Sequence, residues 1–578
     1  TVMRLQQYGE TNEHRPLYLA FISDEKNIGN LENIRMNNLR LANLAKDKMA
    51  PQEDAPAIVW LSYNVHGNET SSSEAGMLTL YALLDPTNTQ TKTWLKNTFI
   101  VIDPCINPDG RDRYVNWFNS VVGSKYNAFP EAREHREPWP GGRTNHYYFD
   151  LNRDWAWQTQ VESKQRMIVY NQWLPQVHVD FHEQNIDAPY YFAPAAQPYH
   201  EVITPWQRSF QVTIGKNHAK YFDKNNWLYF TKEVFDLFYP SYGDTYPVYN
   251  GAIGMTYEQG GGGGAGLGVH TSEEDTLSLY DRAIHHFTTS LSTIEVCAAN
   301  AGSLVKEFRK FFNSGVSGTV GDYKTYVIKN SSQDSGRIQS LKDLLDKNGI
   351  QYGSGNGNGK GISYSSGKEE SFNVTSGDLV ISAAQPKATM VKVLFEPQSK
   401  LVDSITYDIT AWSLPYVYGL KAFATKEKIS PTNAGAQSVI VNNPDDAYGY
   451  VIQWHGLSSA RTLSQLLGRG IRVRFAEMPF EVNDQQFGRG AIIVVKKGNE
   501  KFGSGLGRIV AGICDSNKVR VNAVNTGMVD KGFDFGSSKV HPLKMPKVAM
   551  LTGRGVGSNA AGEVWFFFEQ ERYADQCR

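Results

Sequence analysis

His66 and Glu69, three positions apart in His66-Gly67-Asn68-Glu69, offer one imidazole nitrogen and one carboxylate to a metal ion. They follow the apolar run Ala57-Ile58-Val59-Trp60-Leu61 and precede a helix predicted from about Thr70, so both stand where a strand ends. A third donor is available in Gln176-Val177-His178-Val179-Asp180-Phe181-His182-Glu183, another apolar strand. His178 and His182 compete for that place, because residues four apart on a strand face the same way. His182 ends the strand, where side chains reach a cleft; His178 lies deeper and suits a neutral core position. Asp180 falls between them on the same face, where it could orient His182 or accept backbone hydrogen bonds. Two histidines and a glutamate are the ligand set of a catalytic zinc that keeps a position open for water. Hydrolysis is the chemistry this implies.

Two further groups fit that chemistry. Arg143 lies in Gly141-Gly142-Arg143-Thr144-Asn145, and Asn152 and Arg153 lie in Asp150-Leu151-Asn152-Arg153-Asp154. A guanidinium binds a carboxylate with two parallel bonds or an oxyanion end-on, and an Asn amide adds a neutral donor. An enzyme that removes terminal residues needs a clamp for a free carboxylate and a separate donor for a developing oxyanion. The plainer use of these residues is a surface loop with ion pairs to Asp150 and Asp154. Glu258, in Gly254-Met255-Thr256-Tyr257-Glu258-Gln259-Gly260, ends an apolar run before a Gly-rich stretch. A carboxylate so placed can take a proton from an activated water and pass it to a leaving amine.

The elements that must hold these groups alternate between short apolar runs and helical stretches from Leu17 to about Ala299. Strands are predicted at Leu17–Ile22, Ala57–Leu61, Phe99–Ile102 and Val177–Phe181, and helices at Asn30–Met49, Ser72–Leu84, Gln160–Leu174, Val202–Phe222 and Ser272–Ala299. Such alternation predicts an α/β fold, a sheet covered by helices on both faces. A long loop is expected over Asn116–Phe149. A smaller α/β unit is expected to about Thr425, with Gly353–Gly361 as a flexible surface loop and Ile429–Ala434 as a linker. Beyond it, Ser438–Val441, Ala460–Leu467, Ile471–Ala476, Ala491–Val495 and Val548–Leu551 predict another α/β layer. Gly553-Arg554-Gly555-Val556-Gly557 follows a predicted strand at Lys547–Leu551 and is read as a tight turn into a helix at Ala560, since a dinucleotide loop would need an acidic residue downstream.

Composition excludes several classes. Among 578 residues, 58 Lys plus Arg balance 59 Asp plus Glu, so no overall field draws the chain to nucleic acid or an anionic membrane. No apolar run reaches the roughly 18–20 residues of a spanning helix. The four cysteines are scattered and form no CxxC pair, which argues against a disulfide framework and a thiolate metal site. The start, Thr1-Val2-Met3-Arg4, carries no signal-peptide pattern, and both ends look cut.

With these motifs in view, residues from about Tyr8 to Ala299 resemble the zinc carboxypeptidase family of metallopeptidases, the carboxypeptidase A and B type. His66 and Glu69 stand at its HxxE ligands and His182 at its third ligand. Asn107-Pro108-Asp109-Gly110 matches its NPDG turn. Asp150-Leu151-Asn152-Arg153 matches the segment whose Asn and Arg hold the substrate's terminal carboxylate. Arg143 matches the oxyanion Arg of the carboxypeptidase N and E branch, and Glu258 the general base and acid. The segment between Gly110 and Arg143 is longer than that branch has. Its mobile substrate-binding Tyr falls on Tyr239 or Tyr242, with Tyr239 preferred, and loop lengths leave Asp244 unplaced as a specificity-pocket floor.

The resemblance implies a mixed, twisted, zinc carboxypeptidase-like sheet flanked by helices over residues 1–300. A small α/β domain over 301–428 and an incomplete flavodoxin- or glutamine amidotransferase-like α/β domain over 435–578 follow. It implies one Zn2+ per chain on His66, Glu69 and His182, and a peptide with a free C-terminus as substrate. It also implies a secreted or periplasmic location, with neither nucleic acid nor membrane as partner. Two rivals share these residues: a zinc amidohydrolase acting on N-acyl amino acids or peptidoglycan stem peptides, and a binding protein with a vestigial zinc site.

Overall fold

The computed structural model describes residues 2–331, 334–401, 406–408, 411–432 and 447–570. Eight strands form the first sheet: β1 (Met3–Glu10), β2 (Pro16–Ile22), β3 (Ala57–Tyr63), β4 (Thr98–Asp103), β5 (Val177–Gln184), β6 (Tyr190–Tyr191), β7 (Tyr229–Phe230) and β8 (Ile253–Gly260). Their order across the sheet is β1-β2-β4-β3-β5-β8-β6-β7. β4, β3, β5 and β8 are mutually parallel, and antiparallel β1–β2 and β6 flank them. β3 and β4 are buried along their whole length and β5 almost so. Interior parallel strands covered on both faces read as continuous apolar runs, which is why they were predictable. β1 was not: as an edge strand it leaves Arg4, Leu5, Gln6 and Gln7 exposed and shows no clear alternation.

On one face of the sheet, Trp60 of β3 and His178 of β5 pack against Tyr170 of the helix Val161–Trp173. On the other, Phe181 meets His286 and the Tyr63 hydroxyl meets Ser290 Oγ at 2.8 Å, both partners on the helix Leu279–Ala299. The sheet thus lies between helical layers, as predicted. The expected loop at Asn116 starts later, because the helix that opens at Pro108 runs to Val121.

Two five-stranded sheets follow. The second has the order Glu369–Val374, Gly357–Ser363, Ala422–Thr425, Thr325–Ile328, Leu379–Ser382. Gly357–Gly361 is therefore strand rather than flexible loop. Its backbone pairs with Phe372, Asn373 and their neighbours, and hydrogen bonding in a ladder overrides the low strand propensity of Gly and Asn. Thr432, placed in the expected linker, instead bridges to Ser354. The core of the first sheet continues into this unit through Tyr326, Ile328, Leu341 and Val391.

The third sheet has the order Val521–Val524, Gly449–Ile452, Ile492–Val495, Val473–Ala476, Val540–Leu543, and every pair is antiparallel. This corrects the flavodoxin-like expectation, which requires parallel strands. The strand predicted at Lys547–Leu551 does not form. Among the described residues no neighbouring strand pairs with it, and Val548, Met550 and Leu551 are exposed. The segment leads instead to the helix Ser558–Gln570, whose Trp565 and Phe566 pack on Tyr147 and Phe149 of the first unit. Ser438–Val441 lies outside the described residues. Among the described residues no helix is long and apolar enough to cross a membrane.

Candidate metal centre

Metal donors gather at the carboxyl ends of the parallel strands. β3 ends at Tyr63, and Asn64 turns the chain in the left-handed region, φ 58°. The Asn64 side-chain amide donates to the backbone oxygens of His66 at 2.8 Å and Glu69 at 3.1 Å, which fixes the loop that carries both. Gly67 is required by contact: a Cβ there would lie 2.2 Å from the backbone of Gly110 and Arg111. That backbone belongs to the Asn107-Pro108-Asp109-Gly110 turn. Its Asn107 caps the helix Pro108–Val121 by accepting from Gly110 N at 2.9 Å, and donates to Arg143 O at 3.1 Å. The turn thus locks the His66 loop to the Arg143 loop.

His66, Glu69 and His182 form the one group of three metal-capable side chains among the described residues, with donor atoms within 4.8 Å of one another. The two Nδ1 atoms are 3.1 Å apart. Glu69 Oε1 is 2.9 Å from His66 Nδ1, and Oε2 is 3.3 Å from His182 Nδ1. All three residues are buried. The outer nitrogens face carboxylates: His66 Nε2 is 2.9 Å from Asp150 Oδ1, and His182 Nε2 is 2.9 Å from Asp180 Oδ2. A metal-ligating imidazole commonly donates its other N–H to such a partner, which fixes its tautomer and raises its basicity. Both imidazoles are arranged this way, so the donor set fits a zinc ion. Asp180 has the orienting position considered from sequence. Asp150 was read there only as an ion-pair partner for arginine; its place in the Asp-Leu-Asn-Arg motif was the available signal. Burial alone would raise the Glu69 carboxyl, but the two imidazoles override it and hold the group well below its usual range.

His178, the competing histidine, is packed under Trp60 and Trp155, and neither ring nitrogen has a hydrogen-bond partner among the described residues. Burial lowers it to about 3, so it is neutral.

Glu258 stands opposite His182 in the β5–β8 register and is buried in the same cavity. Burial pushes its carboxyl up to about 8; His182 and Arg143 oppose this and Glu69 adds to it. Arg143 reaches Glu69 Oε1 at 3.2 Å and Asp150 Oδ2 at 2.9 Å, with its side chain 44% exposed toward the cleft. Asn152 Nδ2 is 3.3 Å from His182 Nε2, and its Oδ1 accepts from Gly243 N at 2.7 Å.

These residues line a cavity of about 460 Å³ together with Arg153, Asp236, Tyr242, Asp244, Thr256 and Tyr407. Tyr242, not Tyr239, faces this space. The Tyr239 hydroxyl accepts from Trp157 Nε1 at 2.7 Å and its ring packs against the core. Tyr242 lies under the Arg153 guanidinium, 4.6 Å from carbon to ring centroid. Sequence spacing could not separate two tyrosines on one irregular loop. Asp244 does line the cavity; burial raises it to about 6, and Thr245 and Thr256 hydroxyls donate to it at 2.8 and 3.0 Å.

A helix-covered mixed sheet with a His, Glu, His donor set at its parallel strand ends defines an α/β fold with a candidate metal site. The family model of the zinc carboxypeptidases matches residues 1–173. That match contains His66, Glu69, Arg143, Asn152 and Arg153 and stops before His182 and Glu258, which the fold brings to the same cavity. No curated protein matches the chain. Among solved structures, a metallo-carboxypeptidase from Burkholderia cenocepacia is 15% identical with a TM-score of 0.36, covering 51% of this chain and 65% of that one. Carboxypeptidase A from Helicoverpa armigera is 14% identical with a TM-score of 0.34, covering 52% and 69%. The chain therefore spans just under two thirds of the Burkholderia protein.

Proposed function

We propose that the chain is a zinc metallocarboxypeptidase that hydrolyses the C-terminal peptide bond of peptides, with one Zn2+ per chain on His66, Glu69 and His182. The observation that carries this reading is the convergence of two Nδ1 atoms and one carboxylate beside a second buried carboxylate, Glu258. A zinc ion in that donor set supplies Lewis-acid activation of water and of the scissile carbonyl. Glu258 takes the proton of the attacking water and delivers it to the departing amine. Its raised affinity for protons suits that exchange near neutral pH. Arg143 offers its guanidinium to the developing oxyanion. Asn152, Arg153 and Tyr242 line the cavity and receive the substrate's terminal carboxylate. Degradative chemistry of this kind also favours a secreted or periplasmic place for the protein.

The test is release of C-terminal amino acids from mixed peptides by the zinc-loaded chain, with and without a chelator. Chelator-sensitive release supports the proposal. Cleavage of N-acyl amino acids without release from peptides would replace it with an amidohydrolase. Silence in both assays would leave a binding protein.

A further inference from the structure

Arg153 already holds a carboxylate. Its Nε donates to Asp408 Oδ2 at 3.0 Å, and the Tyr242 hydroxyl donates to the same oxygen. Asp408 is far along the chain, beyond the second sheet's helix Ala388–Phe395. Tyr407 seats it: its backbone N–H donates to Asp236 Oδ2 at 2.7 Å, its ring packs on Phe235 with centroids 5.7 Å apart, and it lines the cavity. A carboxylate bridging a guanidinium and a phenol, at the edge of a cavity that contains Glu258, is what the end of a bound peptide would present. A simple tie between two units would not require both donors on one oxygen.

We propose that Asp408 is a built-in competitor for the carboxylate seat on Arg153 and Tyr242, so that a free C-terminus binds only by displacing it. The inference rests on the reading of Arg153 given above. An intramolecular group competes at an effective concentration on the order of millimolar. Asp408 thereby sets the affinity for carboxylate-ended ligands and makes the site selective for those with enough other contacts to displace it.

The experiment uses the zinc-loaded full chain and two readouts. In calorimetry with 3-phenylpropanoate, a plain monocarboxylate, D408N is expected to bind about tenfold more tightly than the wild type, the size of one charged hydrogen bond. In an R153Q background the same substitution is expected to have a clearly smaller effect, the coupling a double-mutant cycle reads. In hydrolysis of an N-blocked dipeptide, D408N is expected to lower KM by a similar factor. Equal or weaker binding of 3-phenylpropanoate by D408N overturns the inference and makes Asp408 a support for Arg153. Tighter binding without hydrolysis by either protein overturns the peptidase reading and leaves the competitor standing. Asp408 is 32% exposed, and matching melting temperatures for D408N and wild type check that the fold is intact.

Discussion

His182 and Glu258 are direct partners across two parallel strands, β5 and β8, so the candidate metal donor and the proposed proton carrier share one face at one depth. The pairing continues backward as Asp180 with Thr256 and His178 with Gly254. Because the side-chain period of a strand is two, a one-residue slip in this register would turn Glu258 to the opposite face. The placement of the carboxylate is thus a property of the sheet and not of a mobile loop.

Glu258→Gln keeps size and hydrogen bonding but cannot carry a proton. Turnover is expected to fall by about a hundred- to ten-thousandfold, with bound zinc unchanged. Peptide hydrolysis and metal analysis on the same preparation check this; lost zinc or retained turnover would contradict the assigned role.

Asp150→Asn and Asp180→Asn replace the carboxylates behind His66 and His182 with neutral amides. Each is expected to weaken zinc binding by about ten- to a hundredfold, read by competition with a chromogenic chelator. Asp150→Asn also frees Arg143, which pairs with the same carboxylate at 2.9 Å, so it is expected to lower kcat more than Asp180→Asn does.

Removing metal is expected to lower stability. A ligand that binds only the folded state stabilises it by about 4 kcal/mol at a free concentration a thousand times its Kd. Calorimetric melting with chelator and after zinc is restored should show a reversible drop in Tm. A His66→Ala chain should not respond.

Lys387 supplies a pH test remote from the candidate metal site. Its ammonium donates to Asn250 Oδ1 at 2.7 Å and Asn171 Oδ1 at 3.2 Å, and burial lowers it from 10.5 to about 7. Between those values the unfolded chain keeps the proton and the folded chain does not. Stability therefore rises with pH across this window, by up to about 1.4 kcal/mol per pH unit for this one group. Urea midpoints at pH 7.5 and 9.5 should increase in wild type and rise less in Lys387→Met. An equal rise in both would refute the assignment.

Much of the site was legible because its parts are local. His66 and Glu69 share one turn, Asn107-Pro108-Asp109-Gly110 is a helix cap, and Asp150–Arg153 is a single 3-10 turn. Such units have fixed spacing, so residue type and order reveal them. The buried parallel strands were legible for the same reason, each being a continuous apolar run. The edge strand β1, the Gly-rich strand at Gly357–Ser363 and the antiparallel pairing of the third sheet were not. Their structure comes from the partner strand and leaves little mark on local composition.

By itself the sequence determined which donors exist and which of them are neighbours along the chain: two imidazoles, a carboxylate, two guanidiniums and a candidate base. Only the tertiary structure decided that Asp150 backs His66, that Tyr242 rather than Tyr239 meets Arg153, and that Asp408 sits on that arginine. Those choices depend on strand register and on contacts between residues separated by as many as 255 positions, 408 minus 153, and no local spacing encodes such distances.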